Sequence, residues 1–347
     1  MIEPKSVLTG EIFSGEPVVS VCVITYNHGK YIRQCLDGIL MQEVTFPYEI
    51  LIHDDASPDN TAEIIREYEA KYPEIIKPIY QTVNQYSQGI DVSKYIFERA
   101  GGKYIALCEG DDYWSDPKKL QMQVNFLEKH PEYVGTAHSV MIVDENGDQI
   151  CAENGLERLT YTKNHKYNIG DVEKYLLPGQ TNTLVYKNIY KTINEEIKKD
   201  YYSLSGWGDR KLTATLAALG DIYCFGYTMS AYRYVVTNST SWSAQTYKRN
   251  LYGETFKYLI NIQEFVNHAF KRNMKTYEAA FCTYLASLLH YARHPTSENR
   301  NAVKKIMVEI HENPRYMKNG IRWFVSHPLL FVKRTLQISV IRLKTFI

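Results

Sequence analysis

Three sets of carboxylates in this sequence have the types and spacing to do chemistry. Asp54 and Asp55 stand together, Glu109, Asp111 and Asp112 form a second group, and a single Asp209 follows Gly206-Trp207-Gly208. Carboxylates gathered at one place repel one another unless something positive binds among them. A hard divalent cation, Mg2+ or Mn2+, meets that need, because such ions prefer oxygen ligands and share them with substrate phosphates. A nucleotide diphosphate suits a place with so little fixed positive charge nearby. Taken singly, each group has an ordinary structural explanation: a cap or turn at Asp54, and a turn at Asp111-Asp112 ahead of a helix cap at Asp116. Taken together they favour a site.

The elements that must position them follow from hydrophobic periodicity. Residues 18–26 form a nearly continuous apolar, β-branched run, the pattern of a strand buried on both faces of a parallel sheet. Asn27-His28-Gly29 breaks the run, and Ile32, Cys35, Leu36, Ile39 and Leu40 follow at helical spacing. A strand over 48–53 leads into Asp54, after which Ser57 is expected to cap a helix with Pro58 in its first position. A third strand is expected over 75–81, a short helix over 92–100, a fourth strand over 103–108, and a helix capped at Asp116-Pro117. This βαβα alternation predicts a mostly parallel, doubly wound α/β sheet flanked by helices. Ligands of such sheets bind at the carboxyl ends of the strands, where both acidic groups fall. Further strands are expected over 134–143 and 182–186, around a turn at 145–148. From 247 to 313 the pattern is helical. The organisation expected is therefore 1–130, 131–245 carrying Asp209, and a helical region over 246–347.

Composition narrows the function classes. Lys plus Arg total 40 and Asp plus Glu 39, so a net charge of +1 offers no global field for nucleic acid. The six cysteines, at 22, 35, 108, 151, 224 and 282, make no CxxC pair, which argues against structural zinc and a disulfide scaffold. Neither a basic, then apolar leader nor an 18-residue apolar run is present, so a cytoplasmic chain is expected. There is no Gly-x-Gly-x-x-Gly after the first strand, no Walker loop and no Gly-x-Ser-x-Gly elbow. His290 and His294 have the i, i+4 spacing of a metal pair but neither an intervening Glu nor an obvious third ligand, and read as a solvated helix face.

The ordered motifs resemble family 2 glycosyltransferases. Residues 18–27 look like the first strand of that family, ending in Thr25-Tyr26-Asn27. Asp54-Asp55-Ala56-Ser57-Pro58-Asp59-Asn60-Thr61 looks like its Asp-Asp-x-Ser-x-Asp-x-Thr motif, and Glu109-Gly110-Asp111-Asp112-Tyr113-Trp114 is similar to its metal-binding motif. The resemblance implies a Rossmann-like GT-A fold, a nucleotide-sugar donor and inverting transfer to a hydroxyl, in bacterial surface polysaccharide synthesis on lipid-linked intermediates. It also implies roles. Thr25 and Asn27 would lie beside the nucleotide, and Asp55 would accept a hydrogen bond from uracil. Asp111 would be the main metal ligand, Asp112 would ligate or position the ribose or diphosphate, and Glu109 stands where many relatives have Asp. Asp209 would be the general base, Trp207 a stacking face for the acceptor sugar, Thr181 an acceptor neighbour, and Arg233 of Tyr232-Arg233 a partner of the diphosphate. Trp207, Thr181 and Arg233 read equally well as packing, sheet-surface and ion-pair residues.

Two rival readings differ in class. A sugar-1-phosphate nucleotidyltransferase would carry a Gly-rich basic loop after the first strand, for which His28-Gly29-Lys30 is too sparse. A non-catalytic carbohydrate-binding protein would have no use for the base Asp209. From Arg315 to the end the chain has Arg315, Lys318, Arg322, Lys333, Arg334, Arg342 and Lys344 but no Asp or Glu, mixed with apolar residues. Such a segment can lie on an anionic membrane surface, or pack as ordinary amphipathic helices with a solvated basic face.

Overall fold

The structure is a computed structural model that describes residues 15–152, 156–235 and 249–328. Asn238-Ser239-Thr240, which has the pattern of a glycosylation acceptor, and the tail beyond 328 lie outside the described residues. The strand β1 (Val19–Thr25) is buried along almost its whole length and lies between β2 (Tyr48–Asp54) and β4 (Tyr104–Glu109), parallel to both. β3 (Ile76–Tyr80) adds a further parallel strand beside β2. The crossovers are α1 (Ile32–Leu40), α2 (Thr61–Lys71) and α3 (Ser93–Phe97), and α4 (Lys119–Lys129) follows the two-residue β5 (Tyr113–Trp114). Ile32, Leu36, Ile39 and Leu40 of α1 are fully buried, each contributing on the order of 1.5–3 kcal/mol by leaving water.

Register brings the chemistry to one edge. Thr25 is opposite Asp54 on one side, and Ile24 is opposite Glu109 on the other. The sheet then continues through antiparallel β8 (Val185–Lys187) to β6 (Tyr133–Val143) and the 13-residue β9 (Asp221–Arg233), which also pairs with β7 (His165–Tyr167) and β5. Through β9 and β5, the strand that ends in Arg233 lies beside the turn holding Asp111 and Asp112. The helices α5 (Ile169–Glu173), α6 (Glu195–Ser203) and α7 (Gly208–Leu219) complete this side. The expected α/β sheet with helical flanks is present, parallel through β3-β2-β1-β4 and mixed beyond it, and four helices, α8 (Tyr252–Phe270), α9 (Tyr277–Arg293), α10 (Ser297–Glu312) and α11 (Pro314–Ser326), form the C-terminal region. α9 and α11 run side by side, with Tyr277 against Tyr316 and Gly320 closed over by Phe281.

Several local expectations change: His290, expected on a solvated helix face, is buried beside the Tyr252 ring, and two more concern the site. The helix after the Asp54-Asp55 motif starts at Thr61, not at Pro58, and Ser57 caps nothing. Its hydroxyl instead donates to Asp54 and accepts from the Asn27 amide at 2.9 Å, so it ties two strand ends together. Residues 181–183 form a single 3-10 turn before β8, because the buried Asn182 side chain is drawn into a polar network described below.

Candidate active site

The two acidic strand ends are built differently. At the end of β2, Asp55 is almost fully buried and both its oxygens accept backbone amides, from Gln85 at 2.8 Å and Tyr86 at 3.0 Å. Its carbonyl accepts the Asn84 side chain at 3.0 Å. The carboxylate expected to face uracil therefore anchors the loop after β3. Asp54 is buried too, and burial holds its carboxyl above the ordinary range despite the Ser57 hydrogen bonds.

At the end of β4 the bonding is sparse. Glu109 has one long contact, from the Gln180 side-chain amide at 3.4 Å. Burial, followed by the charges of Asp111 and Asp209, pushes its carboxyl up to about 8. Asp111 is half-buried and faces His28, whose Nε2 lies 3.7 Å from its Oδ2. Gly110 between them has no room for a side chain: a Cβ there would lie 2.5 Å from Thr25 Oγ1 and 2.9 Å from His28 Nδ1. Those same two atoms are buried and have no hydrogen-bond partner among the described residues. Unpaired buried polar atoms are uncommon in native proteins and call for an explanation. Here they line the first-strand end where the nucleotide is expected. Asn27 adopts φ 59°, a left-handed turn that asparagine tolerates better than most residues and that swings the chain from β1 into α1.

Asp112 departs from the expected ligand role. It is 1% exposed; Oδ1 accepts the Arg233 amide at 2.8 Å and Oδ2 accepts the Asn182 side chain at 2.8 Å. Asn182 in turn donates to the Ala231 carbonyl and accepts from Ser230, both at 2.8 Å, and its carbonyl takes the Trp114 indole at 3.0 Å. Asp112 thus pins the Asp111 turn to β9. Arg233 departs as well. Nε donates to the Asp111 carbonyl (3.0 Å), Nη1 to the Asp144 carbonyl (2.8 Å) and Nη2 to Gln34 Oε1 (2.8 Å), and the guanidinium covers the Tyr31 ring at 4.4 Å. A buried fork with all three nitrogens engaged by protein is a strut behind the turn, not a free diphosphate ligand.

Asp209 lies in the first turn of α7, half-buried, and is close enough to Glu109 to raise that carboxyl. Its neighbour Trp207 packs against Tyr258 (5.6 Å) and Tyr175 (6.4 Å). Gly206 has φ 135°, and a Cβ there would strike the Tyr258 ring at 2.6 Å, so the approach to α7 requires glycine. Thr181 opens the 3-10 turn beside Gln180, the residue that reaches Glu109. The fold therefore assembles Thr25, Asn27, Glu109, Asp111 and Asp209 at one sheet edge, and turns the Asp55, Asp112 and Arg233 side chains toward protein partners. Sequence reading missed His28 and Gln180; the signal for His28 was its place directly after Thr25-Tyr26-Asn27. Among the described residues, no three His, Cys, Asp or Glu side chains converge closely enough to enclose a metal ion by themselves.

Residues 20–183 match the family model described as glycosyl transferase family 2. An uncharacterized protein of Mycobacterium tuberculosis is 45% identical over 130 residues, covering 37% of this chain and 37% of its own length. TuaG of Bacillus subtilis, named as a glycosyltransferase of teichuronic acid biosynthesis, is 34% identical over 131 residues, covering 37% of this chain and 50% of its own. The chain thus spans half or less of the length of these relatives, and they speak for its N-terminal region. Staphylococcus aureus TarS 1-349 in complex with UDP-GlcNAc shares the fold, with a TM-score of 0.60 at 15% identity over 83% of this chain and 79% of that one. Over residues 20–183 the chain is therefore similar to glycosyl transferase family 2.

Proposed function

We propose that this chain is an inverting, metal-dependent glycosyltransferase that moves a sugar from a nucleoside-diphosphate donor, UDP-linked by preference, to an acceptor hydroxyl. One observation carries the reading: Glu109, Asp111 and Asp209 come from β4, the following turn and α7, yet meet at the edge where β1 presents unpaired Thr25 and His28 atoms. The UDP-GlcNAc bound by TarS and the polysaccharide role in the name of TuaG support the donor class and a place in bacterial surface polysaccharide synthesis. Residues 1–130 then form the nucleotide-sugar half and 131–245 the acceptor half with the base.

A mutually repelling, oxygen-only set with few protein donors suits Mg2+ or Mn2+, completed by phosphate oxygens of the substrate. Asp111 and Glu109 would hold the ion, which when bound draws charge from the departing diphosphate. Asp209 takes the proton from the acceptor hydroxyl as that oxygen attacks the anomeric carbon from the face opposite the leaving group. Asp112 and Arg233 keep the Asp111 turn seated on β9, and Trp207 offers the acceptor sugar a ring face.

The test is incubation of the chain with a panel of nucleotide sugars, Mn2+ and glycan acceptors. Release of nucleoside diphosphate is expected. Pyrophosphate release would point to nucleotidyl transfer, and silence with every donor and acceptor to a non-catalytic binding protein.

We also propose that the chain works on the inner face of the cytoplasmic membrane. α11 exposes Ile321 and Val325 beside Lys318 and Arg322 and carries no acid, and each basic residue near an anionic surface contributes about 1 kcal/mol. Among the described residues no helix is long and apolar enough to cross a membrane. Flotation with anionic liposomes at low salt tests this, since Ile321→Asp with Val325→Asp should abolish co-flotation.

A further inference from the structure

We propose that Arg210 receives an anionic group, phosphate or carboxylate, carried by the acceptor. This deepens the reading above and rests on Asp209 being the base. Arg210 follows Asp209 in the first turn of α7. Its Nη1 donates to the Tyr175 carbonyl at 3.1 Å, and its guanidinium carbon sits 3.6 Å from the centre of the Tyr175 ring. Among the described residues its side chain has no other hydrogen-bond acceptor and no ion pair with a carboxylate. A guanidinium has five N–H donors.

Arg233 supplies the contrast, because a structural arginine in this same protein has acceptors at all three nitrogens. Arg210 is half-buried, and besides the Tyr175 ring the charge of Asp209, with which its side chain makes no ion pair, favours the cation. None of its nitrogens is a sealed, unsatisfied atom, so the remaining donors open onto accessible space. The platform beneath it is held at a cost: Tyr175 adopts φ 60°, a left-handed backbone state that a tyrosine occupies only when its surroundings impose it.

A second cation lies nearby. Arg158, on the 3-10 turn Leu156–Arg158, likewise forms no ion pair with a carboxylate among the described residues. Partial desolvation first, and then the charge of Arg210, lower its pKa against the opposing charge of the adjacent Glu157. The nearby carboxylates of Glu157 and Asp209 form no ion pair with either side chain, and an anion between the two guanidinium groups would relieve their mutual repulsion.

The source of that anion follows from the neighbours. Arg210 lies on Tyr175, whose ring packs with Trp207 and Tyr258 into a wall of rings on the Asp209 side. The acids and unpaired atoms assigned to the donor belong to β1, β4 and the turn after β4. An acceptor sugar stacked on Trp207 with its hydroxyl at Asp209 would bring a charged substituent to Arg210.

Calorimetry on the full chain separates the two sources, with UDP plus Mn2+ as one probe and inorganic phosphate as the other. Phosphate is expected to bind the UDP-saturated native chain. Arg210→Gln should weaken it about 10- to 100-fold, the loss typical of a charged hydrogen-bonding partner, while the UDP dissociation constant stays within about twofold. Arg210→Lys should retain part of the phosphate affinity, which distinguishes a lost charge from a disturbed fold. Phosphate that competes with UDP, or a Gln variant that loses UDP binding, would assign the anion to the donor diphosphate and overturn the proposal. Phosphate binding that is equal in the native and Gln chains would also overturn it. A native chain that binds no UDP or other nucleoside diphosphate would sink the glycosyltransferase reading and this assignment with it.

Discussion

The ends of β2 and β4 are matched in sequence and opposite in physics. Both are acidic, both leave the sheet at the same edge, and β1 lies between them. At β2, the oxygens of Asp55 are taken by two backbone amides and Asp54 holds the Ser57 hydroxyl. At β4, Glu109 has a single long amide contact and two neighbouring carboxylates, and burial with their charge pushes it up to about 8. At the β2 end Asp55 is satisfied and organises a loop, although burial still raises the Asp54 carboxyl. The β4 end is under repulsion that only a proton or a cation can relieve. A carboxylate at a strand end is thus not in itself a ligand; what decides is how many protein donors already reach it.

The comparison can be broken or sharpened by substitution. The largest effect is expected at Asp209, which belongs to the unsettled end. Asp209→Asn should lower the rate of transfer by about 10²- to 10⁴-fold, with UDP binding unchanged by calorimetry; near-native turnover would remove the base assignment. Next, Asp111→Asn should weaken Mn2+-dependent donor binding at least about tenfold, and chelation of the native chain should abolish transfer until Mn2+ is restored. Asp112→Asn should chiefly lower the melting temperature, since its oxygens serve Arg233 and Asn182. If instead Asp112→Asn loses metal and keeps its stability, the division of labour drawn here is wrong.

Asp55→Asn turns one acceptor into a donor facing a backbone N–H, at a cost of about 1–3 kcal/mol. It should loosen the 84–86 loop to proteolysis while leaving the donor KM within about threefold. A selective loss of uridine nucleotides with an intact fold would restore the base-contact reading and erase the contrast between the two ends.

The smallest effect is a pH dependence of stability in the metal-free chain. Glu109 titrates near 8 when folded against an ordinary value of 4.5. Between those values the folded chain keeps the proton and the unfolded chain loses it, so stability is fully present below about 4.5 and falls as pH rises toward 8. Glu109→Gln should remove that decline, raising the melting temperature at pH 8 by about 2 °C or more relative to the native chain and leaving pH 4 nearly unchanged. Parallel pH profiles for the two chains would rule out a half-buried, repelled Glu109.

Much of this was legible in the sequence. The apolar runs of β1, β2 and β4, the helical spacing of α1 and the three carboxylate groups in order are local patterns with local causes: period, turn residues and burial. They determine the parallel sheet and bring the acids to its carboxyl edge. The tertiary structure alone decided which acids and cations are already engaged. Asp55 is satisfied from 30 residues away by Gln85, Asp112 from 70 residues away by Asn182 and 121 away by Arg233, and Ser57 is drawn from its expected cap to the Asn27 amide. The same accounting separates the saturated Arg233 from Arg210. Hydrogen-bond satisfaction of a buried charge depends on partners that only chain topology brings together, and no local spacing encodes them.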